Sequence, residues 1–363
     1  MSLEKIVKEQ IKSLPVYETG KPIEYVAREF GLDPDGILKM ASNENPLGPS
    51  PKAVEAVKKH LAGLNYYPDG GCYDLRMKVA GVRGVKPSQL VFGNGSNEIL
   101  EFIAQCFIDK GDEAVFGAQS FIVYKLATIF MGGVCKSVPM PNLKYDLDAL
   151  RDAVTPKTKI VFMTNPNNPT GAVLKESEVV NFVKSLPDHV LFCYDEAYTE
   201  FQDKEVNLLP LINEGRNVIC LRTFSKIYGL AGLRCGYSYS SEELAGYLNR
   251  AREPFNVNSL AQVGAMAALD DVEFVEESRR VNKAGMRQFA EAFDRLGLEH
   301  FEQGANFVMV KVENALGMFA QLQKCGIIVR PNVGYALPDW LRITIGKPEQ
   351  NERCISEIEK LIK

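Results

Sequence analysis

The chain holds 363 residues, 46% hydrophobic and 24% charged, which suits a soluble globular protein of about two domains. That balance excludes a disordered chain, and a formal net charge of −4 gives no basic field for nucleic acid or an acidic membrane. Small anions would have to be held by local basic groups.

Residues 1–12 are charged and amphipathic, without the apolar core of a signal peptide, and no stretch approaches the length of a membrane span. A cytoplasmic protein is expected. From residue 90 short apolar runs alternate with helical patterns. Strands are expected at 90–92, 113–116, 134–138, 159–164, 190–194, 218–221 and 235–239. Helices fit 97–108, 121–131, 147–154 and 176–185. This alternation predicts an α/β fold with a mostly parallel seven-stranded sheet and crossover helices. After Pro254 come long helices at 259–268 and 271–296, strands at 307–310, 327–329 and 341–345, and a last helix at 350–362. These form a smaller α+β domain. The expected division is an arm, 1–44, packed with the small domain; a large domain, 45–254; and the small domain, 255–363.

The eight cysteines, at 72, 106, 135, 193, 220, 235, 325 and 354, contain no C-x-x-C pair and read as free thiols in a reducing compartment. His60, His189 and His300 lie far apart, outside any ligand spacing, so no metal site is expected.

Four segments carry chemistry. Gly93-Asn94-Gly95-Ser96-Asn97-Glu98 follows a strand and opens a helix, so free N–H groups and a helix dipole converge on a point that suits a phosphate. Glu98 stands where a dinucleotide fingerprint wants glycine. Thr223, Ser225 and Arg234 offer further donors, and a guanidinium can bond two phosphate oxygens. In Asn165-Pro166-Asn167-Asn168-Pro169-Thr170-Gly171 two prolines fix the chain while asparagines offer side-chain amides.

Asp195 ends an apolar strand at the sheet's carboxyl edge, where open α/β folds bind ligands. Taken alone it serves equally well as a helix N-cap. A desolvated carboxylate there needs a positive partner, and a protonated pyridine nitrogen is one. Tyr198, three residues on, could reach the opposite ring edge. Lys226 follows the next strand, and an amine so placed can form a Schiff base with a carbonyl cofactor.

In this order, Gly95-Ser96-Asn97, the 165–171 turn, Asp195 to Tyr198, Ser225-Lys226 and Arg234 resemble the fold-type I pyridoxal-phosphate aminotransferases. Ser42-Asn43-Glu44-Asn45-Pro46, Tyr67-Pro68-Asp69, residues 222–237 and Leu341-Arg342-Ile343-Thr344-Ile345-Gly346 resemble the histidinol-phosphate aminotransferases. The likeness covers nearly the whole chain.

That resemblance implies the cofactor pyridoxal 5′-phosphate, held covalently by Lys226, which afterwards shuttles a proton. Asp195 would pair with the pyridinium nitrogen, and Asn168 and Tyr198 would bond the phenolic oxygen. The backbone at Gly95, Ser96 and Asn97, with Thr223, Ser225 and Arg234, would hold the phosphate, and Phe121 would stack on the ring. Tyr67 would reach the phosphate of the neighbouring subunit, which implies a homodimer. Tyr17, Asn43, Arg330 and Arg342 would bind substrate, with the arginines on its anionic end.

The implied partners are a small-molecule amino donor and a 2-oxo acid, with neither nucleic acid nor membrane. The implied reaction passes an amino group between L-histidinol phosphate and 2-oxoglutarate in histidine biosynthesis. An aromatic or broad-specificity aminotransferase and a threonine-phosphate decarboxylase share much of the pattern. A pyridoxal-phosphate-binding transcription regulator would need an added DNA-binding domain, and only about forty residues precede Ser42.

Overall fold

A computed structural model describes residues 2–14, 16, 20–301 and 303–363. After a two-residue strand, β1 (Leu38–Lys39), the chain builds β2 (Leu90–Gly93), β3 (Glu113–Gly117), β4 (Val134–Val138), β5 (Thr158–Thr164), β6 (Leu191–Asp195), β7 (Val218–Thr223) and β8 (Gly236–Tyr239). These last seven form one sheet in the order β2-β8-β7-β6-β5-β3-β4. All seven expected strands are present, with ends shifted by a residue or two.

One strand departs from the parallel pattern. β8 runs antiparallel to both β2 and β7, whereas the pairs β3–β4, β3–β5, β5–β6 and β6–β7 are parallel. The reason is the connection: residues 224–235 hold a 3-10 turn, Ala231–Leu233, but no crossover helix, so the chain must return alongside β7 in reverse. Lys226 therefore sits in a tight return loop between sheet neighbours. β2, β5, β6 and β7 point the same way, and their carboxyl ends meet at one sheet edge.

Both faces of the sheet are covered, which is why its strands read as nearly continuous apolar runs. Phe192, Tyr194, Cys220 and Tyr237 enter one core, while Cys193, Phe162, Ile219 and Leu221 enter the other with the helix Ser96–Phe107. Each fully buried side chain of this size contributes roughly 1.5–3 kcal/mol.

Beyond these lie β9 (Phe307–Lys311), β10 (Ile327–Ile328), β11 (Arg330–Asn332) and β12 (Leu337–Thr344). β11, β12 and β9 make a three-stranded antiparallel sheet, whereas β10 pairs in parallel with β1. The single strand expected at 327–329 is thus two strands in two sheets, divided at Val329. β1 and the Met40 carbonyl, which accepts the Thr344 N–H at 2.8 Å, tie the N-terminal arm to this region. Val275 in the long helix Val272–Leu296 packs on the first core, and Phe289 and Phe293 on a third that includes Met40 and Leu341.

Candidate active site

A cavity of about 270 Å³ opens where the strand ends face β11 and β12. Asp195, at the end of β6, is 3% exposed. Its Oδ1 accepts the Ala197 N–H at 3.1 Å, and its Oδ2 accepts the Tyr124 hydroxyl at 3.0 Å. Burial pushes its pKa up to about 6, while those two donors and the Lys226 charge pull the other way.

Lys226 Nζ donates to the Ser42 carbonyl at 3.2 Å and lies 5.6 Å from the centre of the Tyr198 ring. Burial brings its pKa down to about 8, helped by the positive charges of Arg342 and Arg234 and opposed by Glu44 and Asp195. A large share of its amine is therefore neutral in mildly alkaline water, as a nucleophile or base requires.

Above the lysine runs a polar chain. The Tyr198 oxygen accepts from Asn43 Nδ2 at 2.9 Å and Asn168 Nδ2 at 3.2 Å. Arg342 donates from Nη1 to Asn168 Oδ1 at 2.6 Å and from Nη2 to the Ala41 carbonyl at 2.7 Å, with its guanidinium 5.3 Å from the Phe307 ring centre. Burial raises the Tyr198 hydroxyl to about 12, opposed by Arg342 and Asn43, so the phenol stays protonated. Asn43 is held left-handed at φ 55° by bonds from its N–H to Thr344 Oγ1 and from Asn306 Nδ2 to its carbonyl, both 2.9 Å.

At the other end the helix Ser96–Phe107 begins after Gly95, whose φ is 83°. A Cβ at 95 would lie 2.5 Å from Arg234 Nη2, so only glycine lets the guanidinium close over this turn. Thr223 Oγ1 accepts the Ser225 N–H at 3.1 Å and shapes the loop ahead of Lys226. Ser96, Asn97, Thr223, Ser225 and Arg234 all line the cavity.

Helix-start N–H groups, hydroxyls and a guanidinium at one end suit a phosphate. A buried carboxylate, an aromatic face from Phe121 and a partly desolvated amine complete what pyridoxal phosphate requires, so these residues fit that group.

The remaining expected residues divide. Arg330 lines the cavity beside Arg342, its cross-strand partner. Gly95 shapes the cradle from behind. Tyr67 lies outside, 83% exposed and stacked on Phe255 at 4.8 Å. Tyr17 falls outside the described residues. Sequence reasoning missed Tyr335, which lines the cavity from the loop before β12 and carries no local signal. It also missed Tyr124, which reads as one more apolar residue of a buried helix. Among the described residues no group of three His, Cys, Asp or Glu could hold a metal, and no helix is long and apolar enough to cross a membrane.

The chain belongs to the class I and II aminotransferases, whose family model matches residues 35–358. Within that family its similarity runs the full length to histidinol-phosphate aminotransferases. The Akkermansia muciniphila enzyme of that name is 44% identical over 363 residues, covering 100% of both chains. That of Brevibacillus brevis is 45% identical over 358 residues, 98% of each. The crystal structure of histidinol-phosphate aminotransferase from Sinorhizobium meliloti in complex with pyridoxal-5′-phosphate superposes with a TM-score of 0.89 at 27% identity, covering 98% of each chain. The architecture is that of the fold-type I enzymes.

Proposed function

We infer that this protein is a pyridoxal-phosphate-dependent histidinol-phosphate aminotransferase of histidine biosynthesis. It passes the amino group of L-histidinol phosphate to 2-oxoglutarate, giving imidazole acetol phosphate and L-glutamate. Full-length similarity to enzymes of that name supports the reading. The observation that carries it is Arg330 and Arg342, set opposite each other on adjoining strands at one end of the cavity, where a phosphate monoester can take both guanidiniums.

When bound, pyridoxal phosphate supplies the carbonyl that accepts an amino group and the ring that draws electrons from the reacting carbon. The chain does the rest. Lys226 Nζ, whose pKa is brought down to about 8 by burial beside two arginines, would hold the cofactor and, once free, would take and return a proton. Asp195 would pair with the ring nitrogen and favour its protonated form. Tyr198 and Asn168 would bond the ring oxygen, and Phe121 would stack on the ring. Ser96, Asn97, Ser225 and Arg234 would bind the phosphate, with Thr223 positioning Ser225. Asn43 and Tyr335 wall the substrate side.

The active unit in this reading is a cytoplasmic homodimer. Tyr67 is exposed, as are Leu61, Leu64, Tyr66 and Tyr73 of the same stretch of chain, and large apolar side chains left in water suit burial against a second copy, whose site Tyr67 would reach. Of the arm, 1–44, the helix Ile23–Phe30 and β1 go with the small domain, whereas residues 9–13 lie against the helix Ile122–Phe130 of the large one, and the long helix Val272–Leu296 joins the two cores. Glutamate formation from L-histidinol phosphate and 2-oxoglutarate by purified protein tests the reading; no glutamate at saturating substrate contradicts it.

A further inference from the structure

We propose that Tyr124 is a positioning residue for the reaction, fixing with its hydroxyl the carboxylate that faces the cofactor ring nitrogen and with its ring edge the aromatic that covers the ring face. The proposal rests on the reading of the cavity as a pyridoxal-phosphate site, and it concerns a residue that stands outside the cavity lining.

Tyr124 lies in the first turn of the helix Ile122–Phe130, and Phe121 is the residue that precedes that helix. It is fully buried. Its ring stacks on Phe162 of β5 at 4.9 Å and 4°, and meets Phe121 edge-on at 5.7 Å and 86°. Its hydroxyl donates to Asp195 Oδ2 at 3.0 Å. One side chain thus touches two of the groups assigned to the cofactor ring, one at its edge and one at its face.

The hydroxyl has a purpose that packing does not explain. Phenylalanine would fill the same space against Phe162 and Phe121, and burying a phenolic O–H is unfavourable unless it finds an acceptor. Here the acceptor is a carboxylate whose other oxygen is already held by the Ala197 N–H. With both oxygens fixed, Asp195 cannot rotate about its last bond. Two donors also favour its ionised form against burial. A carboxylate kept ionised leaves the proton on the ring nitrogen, where it strengthens the electron pull.

The other titratable groups facing Asp195 are Lys226, Tyr198, Tyr145 and Cys193. Burial raises both phenols and the thiol, so these stay neutral, and Lys226 supplies the positive charge. Tyr124, also raised by burial, stays a donor across the working pH range.

The experiment loads wild type, Tyr124→Phe and Tyr124→Leu with pyridoxal phosphate carrying ¹⁵N in its ring. It reads the ring-nitrogen chemical shift, the cofactor dissociation constant, and kcat and KM against pH. Tyr124→Phe keeps the packing, so cofactor affinity and KM should change by less than about threefold while kcat falls about tenfold, the scale of one hydrogen bond to a charged group. Its ¹⁵N resonance should move toward that of the unprotonated ring. The acid limb of its kcat profile should move up by about one unit, because the lost donor no longer lowers the Asp195 pKa. Tyr124→Leu should in addition weaken cofactor binding, since Phe121 loses its edge contact. A loaded wild type beside a Tyr124→Phe protein with the same ¹⁵N shift and a superimposable pH profile overturns the role of Tyr124 alone. A wild type that takes up none of the labelled cofactor overturns the reading of the site and this proposal with it.

Discussion

Arg330 and Arg342 are direct cross-strand partners in the antiparallel pair β11–β12, and both line the same cavity. A guanidinium can bond two oxygens of one anion, so the pair suits a phosphate at that end of the cavity. Arg342 also orients Asn168 and bonds the Ala41 carbonyl, whereas Arg330 contributes to the cavity from the strand edge. Arg330→Ala should therefore raise KM for the phosphorylated donor about tenfold or more, with a smaller effect on an unphosphorylated amino acid. Arg342→Ala should lower kcat/KM by about a hundredfold or more for either donor, because Asn168 loses its guide as well. Steady-state kinetics with both donors reads the difference.

Removing Lys226 and Asp195 should produce distinct defects. Lys226→Ala should lose both transamination and the visible absorbance of covalently held cofactor. Asp195→Asn should keep the cofactor but slow turnover by at least about a hundredfold, since an amide stabilises a pyridinium poorly. Absorbance spectra and single-turnover rates separate the two, and unchanged turnover in Asp195→Asn would contradict the pairing.

The Lys226 amine, with its pKa brought down to about 8, predicts how cofactor-free protein captures pyridoxal phosphate. Only the neutral amine attacks a carbonyl, so the capture rate should climb with pH and level off above about 8 rather than near the ordinary lysine value of about 10.4. The sign for stability follows the same shift. Between about 8 and 10.4 the unfolded lysine binds a proton that the folded one does not, so this group's contribution to stability rises with pH across that window. Stopped-flow absorbance at a series of pH values measures the first effect.

Behind the site, Arg222 is 1% exposed and bonds Glu196 Oε2 at 2.6 Å, Glu200 Oε1 at 3.1 Å and Glu205 Oε2 at 2.8 Å. Glu196 directly follows Asp195, and Arg222 directly precedes Thr223, so this cluster joins the ends of β6 and β7 below the cofactor residues. Arg222→Ala leaves the buried Glu196 carboxylate without its ion-pair partner, and Glu200 and Glu205 with Arg83 alone, and should cost about 3–5 kcal/mol of stability. Arg222→Met should cost less than Arg222→Ala if it fills the space and Glu196 takes up a proton. Denaturant unfolding of the two variants checks the order.

The strands were legible because a sheet covered on both faces writes each strand as an apolar run, as in Leu191-Phe192-Cys193-Tyr194. The direction of β8 was not. Gly236-Tyr237-Ser238-Tyr239 reads the same in either sense, and only the missing crossover helix after Lys226 carries the information. The break at Val329 was hidden because Ile327-Ile328-Val329 is one apolar run that long-range pairing divides between two sheets. The cofactor residues were readable from motif order, since strand ends and turns must carry them. Tyr124 was not, because within Ile122-Val123-Tyr124 it looks like one more apolar residue on a buried helix face. Its function lies in a hydrogen bond to a residue 71 positions away. Tyr335 depends likewise on how the loop before β12 folds over the cavity.

In the proposed reading two opposed arginines select a phosphate-bearing amino donor. That selection is measured by kcat/KM for L-histidinol phosphate and for L-phenylalanine, each with 2-oxoglutarate as acceptor. The predicted result favours L-histidinol phosphate by about a hundredfold or more, the scale of two charge-assisted hydrogen bonds. A higher kcat/KM on L-phenylalanine would contradict the claim and make the protein an aromatic aminotransferase on the same site.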